Sequence, residues 1–169
     1  FNAGDEKIVE NQYVPQISYE QAIINSVKEA SPSVVSIIIT KNLPVYEQQW
    51  INPFGGLDIP GFEIPQYIQK GTKQQKVGGG SGFIVSEDGL ILTNKHVVLD
   101  KKAEYTVFTN DGQKFSAKVL ALNPVQDLAI IKIESDKKFK AIKLGDSSEI
   151  QIGQSAIAIG NALGEFRNT

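Results

Sequence analysis

Gly82-Phe83-Ile84-Val85-Ser86-Glu87-Asp88-Gly89-Leu90-Ile91-Leu92-Thr93 is the stretch whose reading decides the fold. Two short apolar runs flank the turn signal Glu87-Asp88-Gly89. The pattern repeats downstream. Tyr105-Thr106-Val107-Phe108 turns at Asn110-Asp111-Gly112 into a strict alternation, with Phe115, Ala117 and Val119 on one side and Lys114, Ser116 and Lys118 on the other. Leu128-Ala129-Ile130-Ile131-Lys132-Ile133 reads as a further buried strand. Short strands joined by tight turns predict an all-β antiparallel barrel or sandwich.

Upstream, residues 1–16 are polar and read as a loose tail. A short helix should follow, capped by Ser18 with Gln21 three residues on. Its apolar stripe would be Tyr19, Ile23, Val27 and Ala30, and Pro32 would stop it. Val34 to Thr40 is β-branched and predicts a buried strand. Lys41 to Val77 holds Pro44, Pro53, Pro60 and Pro65, several glycines and many glutamines, and reads as a long irregular loop insertion. Trp50, Ile51, Phe54, Leu57, Ile59, Phe62, Ile64 and Tyr67 make that loop unusually apolar. Gly79-Gly80-Ser81-Gly82 reads as a flexible lead-in to a strand. A last strand is expected over Ser155 to Ile159, after Gly153.

Composition narrows the function. The 169 residues carry a net charge of -2, which argues against nucleic acid as the main partner. No apolar run approaches the ~18 residues of a transmembrane helix. The chain has no cysteine, which excludes disulfides, thiol catalysis and cysteine-based metal sites. No cofactor or metal is expected. The absence of methionine and the start at Phe1 lead to the expectation of a removed N-terminal segment.

There is one histidine, His96, just past a strand end in Leu92-Thr93-Asn94-Lys95-His96-Val97-Val98. A histidine base needs a carboxylate to hold its tautomer. Asp100 precedes two lysines, Asp111 serves a hairpin turn, Asp136 lies in a charged run and Asp146 starts a turn. Asp127, at the head of the strand Leu128 to Ile133, would be half-buried. Its residue pattern alone fits an orienting carboxylate and a strand-end cap equally well.

Thr93-Asn94-Lys95-His96-Val97-Val98 resembles the Thr-Asn-x-His-Val-Val motif around the histidine of HtrA (Deg) serine proteases. Asn123-Pro124-Val125-Gln126-Asp127-Leu128-Ala129-Ile130-Ile131-Lys132-Ile133 resembles the segment that carries the family's aspartate. Ala30 to Val35, Gly80 to Ile84, Leu144 to Ser147 and Ile159-Gly160-Asn161 are similar to further landmarks in the same order, although Ala162 stands where the family usually has proline. The resemblance covers about residues 18–40 and 78–164. It implies a trypsin-like six-stranded antiparallel β-barrel over residues 17–147, with 41–77 as its loop insertion. It also implies the first strand of a second barrel within 148–169. His96 would be general base and acid, and Asp127 would orient it.

The family nucleophile sits in Gly-Asn-Ser-Gly-Gly, and no serine here has that setting. Gly145-Asp146-Ser147 is followed by Ser148-Glu149 in place of the glycines that shape an oxyanion hole. Gly79-Gly80-Ser81-Gly82-Phe83 is neither a nucleophile elbow nor a phosphate loop. The expectation is a serine endopeptidase truncated before its serine and inactive alone, the alternative a non-catalytic chaperone-like binding module. The resemblance further implies unfolded or misfolded polypeptides as partners and a homo-oligomer, trimeric in the family. It implies a cell-envelope location, periplasmic or extracytoplasmic, with a membrane tether through a missing N-terminal segment as one form.

Overall fold

The computed structural model describes residues 16–53 and 63–160. The expected tail up to Pro15, the loop residues Phe54, Leu57, Ile59 and Phe62, and Asn161-Ala162 lie outside the described residues.

Alternation drives the fold. A helix, α1 (Gln16–Ala30), leads through a 3-10 turn at Ser31–Ser33 into strands β1 (Val34–Ile51), β2 (Ile64–Ile84), β3 (Leu90–Thr93), β4 (Glu104–Phe108), β5 (Lys114–Leu122) and β6 (Ala129–Ile133). All pairings are antiparallel, and the order β1-β2-β3-β6-β5-β4 closes as β4 returns to β1. Ala129, Ile131 and Ile133 point inward from β6, and Tyr105 and Val107 from β4. They meet Val35, Ile37, Ile84 and Ile91 in one core. Each large aliphatic side chain buried this way contributes about 1.5–3 kcal/mol.

The helix begins two residues before Ser18, so Ser18 lies in its first turn and is not its cap. Ile23, Val27 and Ala30 are partly covered, as the stripe requires. Tyr19 stays exposed, its hydroxyl 2.6 Å from Ser155 Oγ.

Three expectations about the strands are corrected. The first is the irregular loop from Lys41 to Val77. It is largely β: β1 and β2 run on past the barrel and pair with each other from Thr40↔Lys76 to Ile51↔Ile64. Only Ser36 to Thr40 of β1 also pair with β4, so beyond that point the ribbon has two open edges. Proline is tolerated on an open edge because no ladder bond is lost there, which is how Pro44 and Pro65 lie within strands. At ~3.3 Å per residue the ribbon is an arm on the order of 30 Å long. The second is the strand Ser155 to Ile159, which is not formed. A strand needs a pairing partner; the barrel has closed on itself, and no described residue pairs with 155–159.

The glycine run is also not a flexible lead-in. It lies inside β2, where Ile37↔Gly80 and Val35↔Gly82 pair, and both glycines are buried. A Cβ on Gly80 would come 2.6 Å from Val97, and one on Gly82 would come 2.8 Å from Ile91. The missing side chains let neighbouring elements approach.

Candidate active site

The register of two strands makes the site. Thr93, the last residue of β3, pairs with Ala129, the first of β6. The three residues after Thr93 and the two before Ala129 therefore leave the barrel side by side. The first group ends in His96 and the second begins with Asp127.

Each loop is fixed from below. His96 sits in a 3-10 turn, Lys95–Val98, whose Val97 and Val98 are buried. Val97 fits against Gly80, where any side chain on β2 would collide with it. The apolar pair thus anchors the turn and leaves the imidazole 71% exposed. In the other loop, Asn123 Oδ1 accepts the N–H groups of Val125 and Gln126 at 2.9 and 2.8 Å. Asn123 N–H donates to Leu128 O at 2.8 Å, which closes the loop that carries Asp127. Lys95 Nζ reaches across to Asn123 O at 3.1 Å.

The two side chains meet. His96 Nδ1 lies 2.6 Å from Asp127 Oδ2, and the His96 backbone N–H donates to Oδ1 at 2.9 Å. Asn94 Nδ2 donates to Asp127 Oδ2 and to its backbone oxygen, each at 3.2 Å. The carboxylate is about half-exposed, at 48%. The His96 backbone N–H, then the His96 ring, hold its pKa below the usual carboxylate value; desolvation opposes them. A carboxylate only accepts, so the facing Nδ1 carries the hydrogen and Nε2 is left as the basic nitrogen of the neutral ring.

The other carboxylates have different tasks. Asp100 pairs with Lys41 at 2.7 Å, at the base of the arm. Asp111 accepts from Thr109 and Gln113 within its hairpin turn. Asp146 caps the turn at Ser147–Glu149 by accepting Ser148 N–H at 2.9 Å. Asn94 lies inside the histidine motif, which assigns it no role of its own. Its only signal was an amide two residues before the histidine, and nothing in its spacing says that it reaches Asp127.

A closed six-stranded antiparallel barrel with a histidine–aspartate pair at one rim defines the class, and comparison with known proteins agrees. The trypsin-like peptidase domain family matches residues 80–169, more than half of the chain. The chain belongs to this family, in its HtrA (Deg) branch. It is 35% identical, over 96% of its length, to the probable periplasmic serine endoprotease DegP-like of Chlamydia trachomatis serovar D. It is 29% identical, over 91% of its length, to the protein so named in Bartonella henselae, and 44% identical, over 61%, to that of Chlamydia muridarum. The chain spans about a third of the length of the first two relatives, 35% and 34%, and 20% of the third.

Proposed function

We propose that this chain supplies the general base and its orienting carboxylate for peptide-bond hydrolysis by a serine endopeptidase of the HtrA type. The contact of 2.6 Å between His96 Nδ1 and Asp127 Oδ2 carries the reading. With the proton fixed on Nδ1, Nε2 is free to take the proton of a serine hydroxyl and then return it to the leaving amine. Asp127 would stabilise the imidazolium between those steps. The nucleophile, the oxyanion hole and the specificity pocket would come from sequence outside these 169 residues.

The relatives' names support polypeptide substrates and a periplasmic location for this chain too. Assembly into homo-oligomers, trimeric as the family resemblance implies, is part of the same reading. The arm supports it: Tyr46, Gln48 and Trp50 share one face with their partners Gln69, Tyr67 and Pro65, and Tyr46, Trp50 and Tyr67 are exposed.

Hydrolysis of casein tests the proposal. The 169-residue chain alone should show none, because a base without a nucleophile activates nothing. Joined to the serine-bearing remainder of a DegP-like relative, it should hydrolyse casein, and His96→Ala should lower that rate by about 10³-fold or more. Activity of the joined protein that survives His96→Ala would overturn the role of His96.

A further inference from the structure

Asn94 occupies the position just before the 3-10 turn Lys95–Val98, with extended backbone at φ -75° and ψ 141°. An asparagine there ordinarily turns its side chain onto the first free N–H groups of its own turn. Asn94 makes no such bond. Its amide instead crosses to the neighbouring loop and donates to Asp127 Oδ2 and Asp127 O, each at 3.2 Å. Both of those atoms are acceptors, so the amide nitrogen must face them and the carbonyl oxygen must face away.

The pair needs such a tie. Oδ1 of Asp127 is held by the His96 backbone and Oδ2 by the His96 ring. Among the described residues, Asn94 makes the remaining hydrogen bond to that carboxylate. It also grips the backbone of the same residue, so one amide fixes both the rotation of the carboxylate and its height above the barrel rim. About half of the carboxylate surface is open to water, which competes for the same oxygens.

We infer that Asn94 is a positioning residue that locks the Asp127 carboxylate in the plane of the His96 imidazole and so selects the Nδ1–H tautomer. The inference rests on the proposed role of the pair. It assigns Asn94 no contact with substrate.

His96 is the only histidine, so ¹⁵N labelling of histidine gives a single imidazole whose two nitrogens report its tautomer directly. In the wild-type chain with the ring neutral, the Nδ1–H form should dominate, whereas free imidazole side chains favour Nε2–H. Asn94→Leu keeps the shape and removes the donor. It should lower the Nδ1–H to Nε2–H ratio about two- to fivefold, the range of exposed charge-assisted contacts. Lys95→Ala cuts a different tie between the loops, to Asn123 O, and should leave the ratio unchanged. A wild-type ring with the tautomers of free imidazole would overturn the pair itself and the role of Asn94 with it. A wild-type Nδ1–H ring that persists unchanged in Asn94→Leu would overturn the positioning role alone. So would an equal shift in Lys95→Ala, which would mean that any loosening of the loops has the same effect.

Discussion

The same two strands build two different objects. Over Val34–Thr40 and Gly78–Ile84, β1 and β2 are walls of the barrel: β1 pairs on its other edge with β4, β2 with β3, and one face lies in the core. Over Lys41–Ile51 and Ile64–Lys76 they pair only with each other, and most side chains face solvent. The backbone ladder is shared, but burial is not. An isolated two-stranded ribbon is marginal in water, whereas a closed sheet with an apolar interior is not. The structure therefore assigns stability to the barrel, and the arm is carried by it. The site follows that division, because His96 and Asp127 leave β3 and β6, which among the described residues pair with no part of the arm.

The sharpest way to break this comparison is to truncate one side chain to alanine in each region. Ile131 is fully buried in β6, and Ile131→Ala should cost about 2–5 kcal/mol by urea denaturation. Tyr67, on the arm, is 67% exposed, and Tyr67→Ala should stay within about 0.5 kcal/mol of wild type. Equal losses would mean that the arm is part of the cooperative core. A smaller effect is expected at the barrel glycines. A Cβ on Gly82 meets Ile91 at 2.8 Å and the Leu92 carbonyl at 3.0 Å, and the carbonyl belongs to the ladder and cannot turn away. Gly82→Val should therefore cost about 1–3 kcal/mol through overpacking. In the arm, a Cβ on Gly71 meets nothing within 4 Å, and only its φ of 120° resists substitution. The mildest effect concerns acid. The folded pKa of Asp127 lies below its ordinary value, so its stabilisation is present above that value and is lost as pH falls through the folded one. The difference in unfolding midpoint between wild type and Asp127→Asn should close as pH drops below about 4. A gap that persists in acid would mean that the carboxylate charge contributes nothing.

The division also explains what could be read from the chain. The barrel strands were legible because burial on one face imposes alternation, as in Phe115, Ala117 and Val119. The arm was not, because a ribbon exposed on both faces imposes no pattern; its prolines and glutamines then read as a loop. Ser155 to Ile159 has strand-like residues, but strand formation is a property of a pairing partner as much as of a sequence. His96 and Asp127 could be named from their motifs. Their meeting depends on the Thr93↔Ala129 register, and the tie through Asn94 depends on a side chain leaving its own turn for another loop. Neither has a periodic signature.

The central claim is that the barrel alone preforms the His96–Asp127 pair. Replacing residues 41–75 by a short Asn-Gly turn would join Thr40 to Lys76, which already pair across the ribbon. The ¹⁵N signature of His96 should then remain that of an Nδ1–H imidazole, as in the parent chain. Conversion to the tautomer mixture of free imidazole, in a shortened chain that still unfolds cooperatively, would contradict the account.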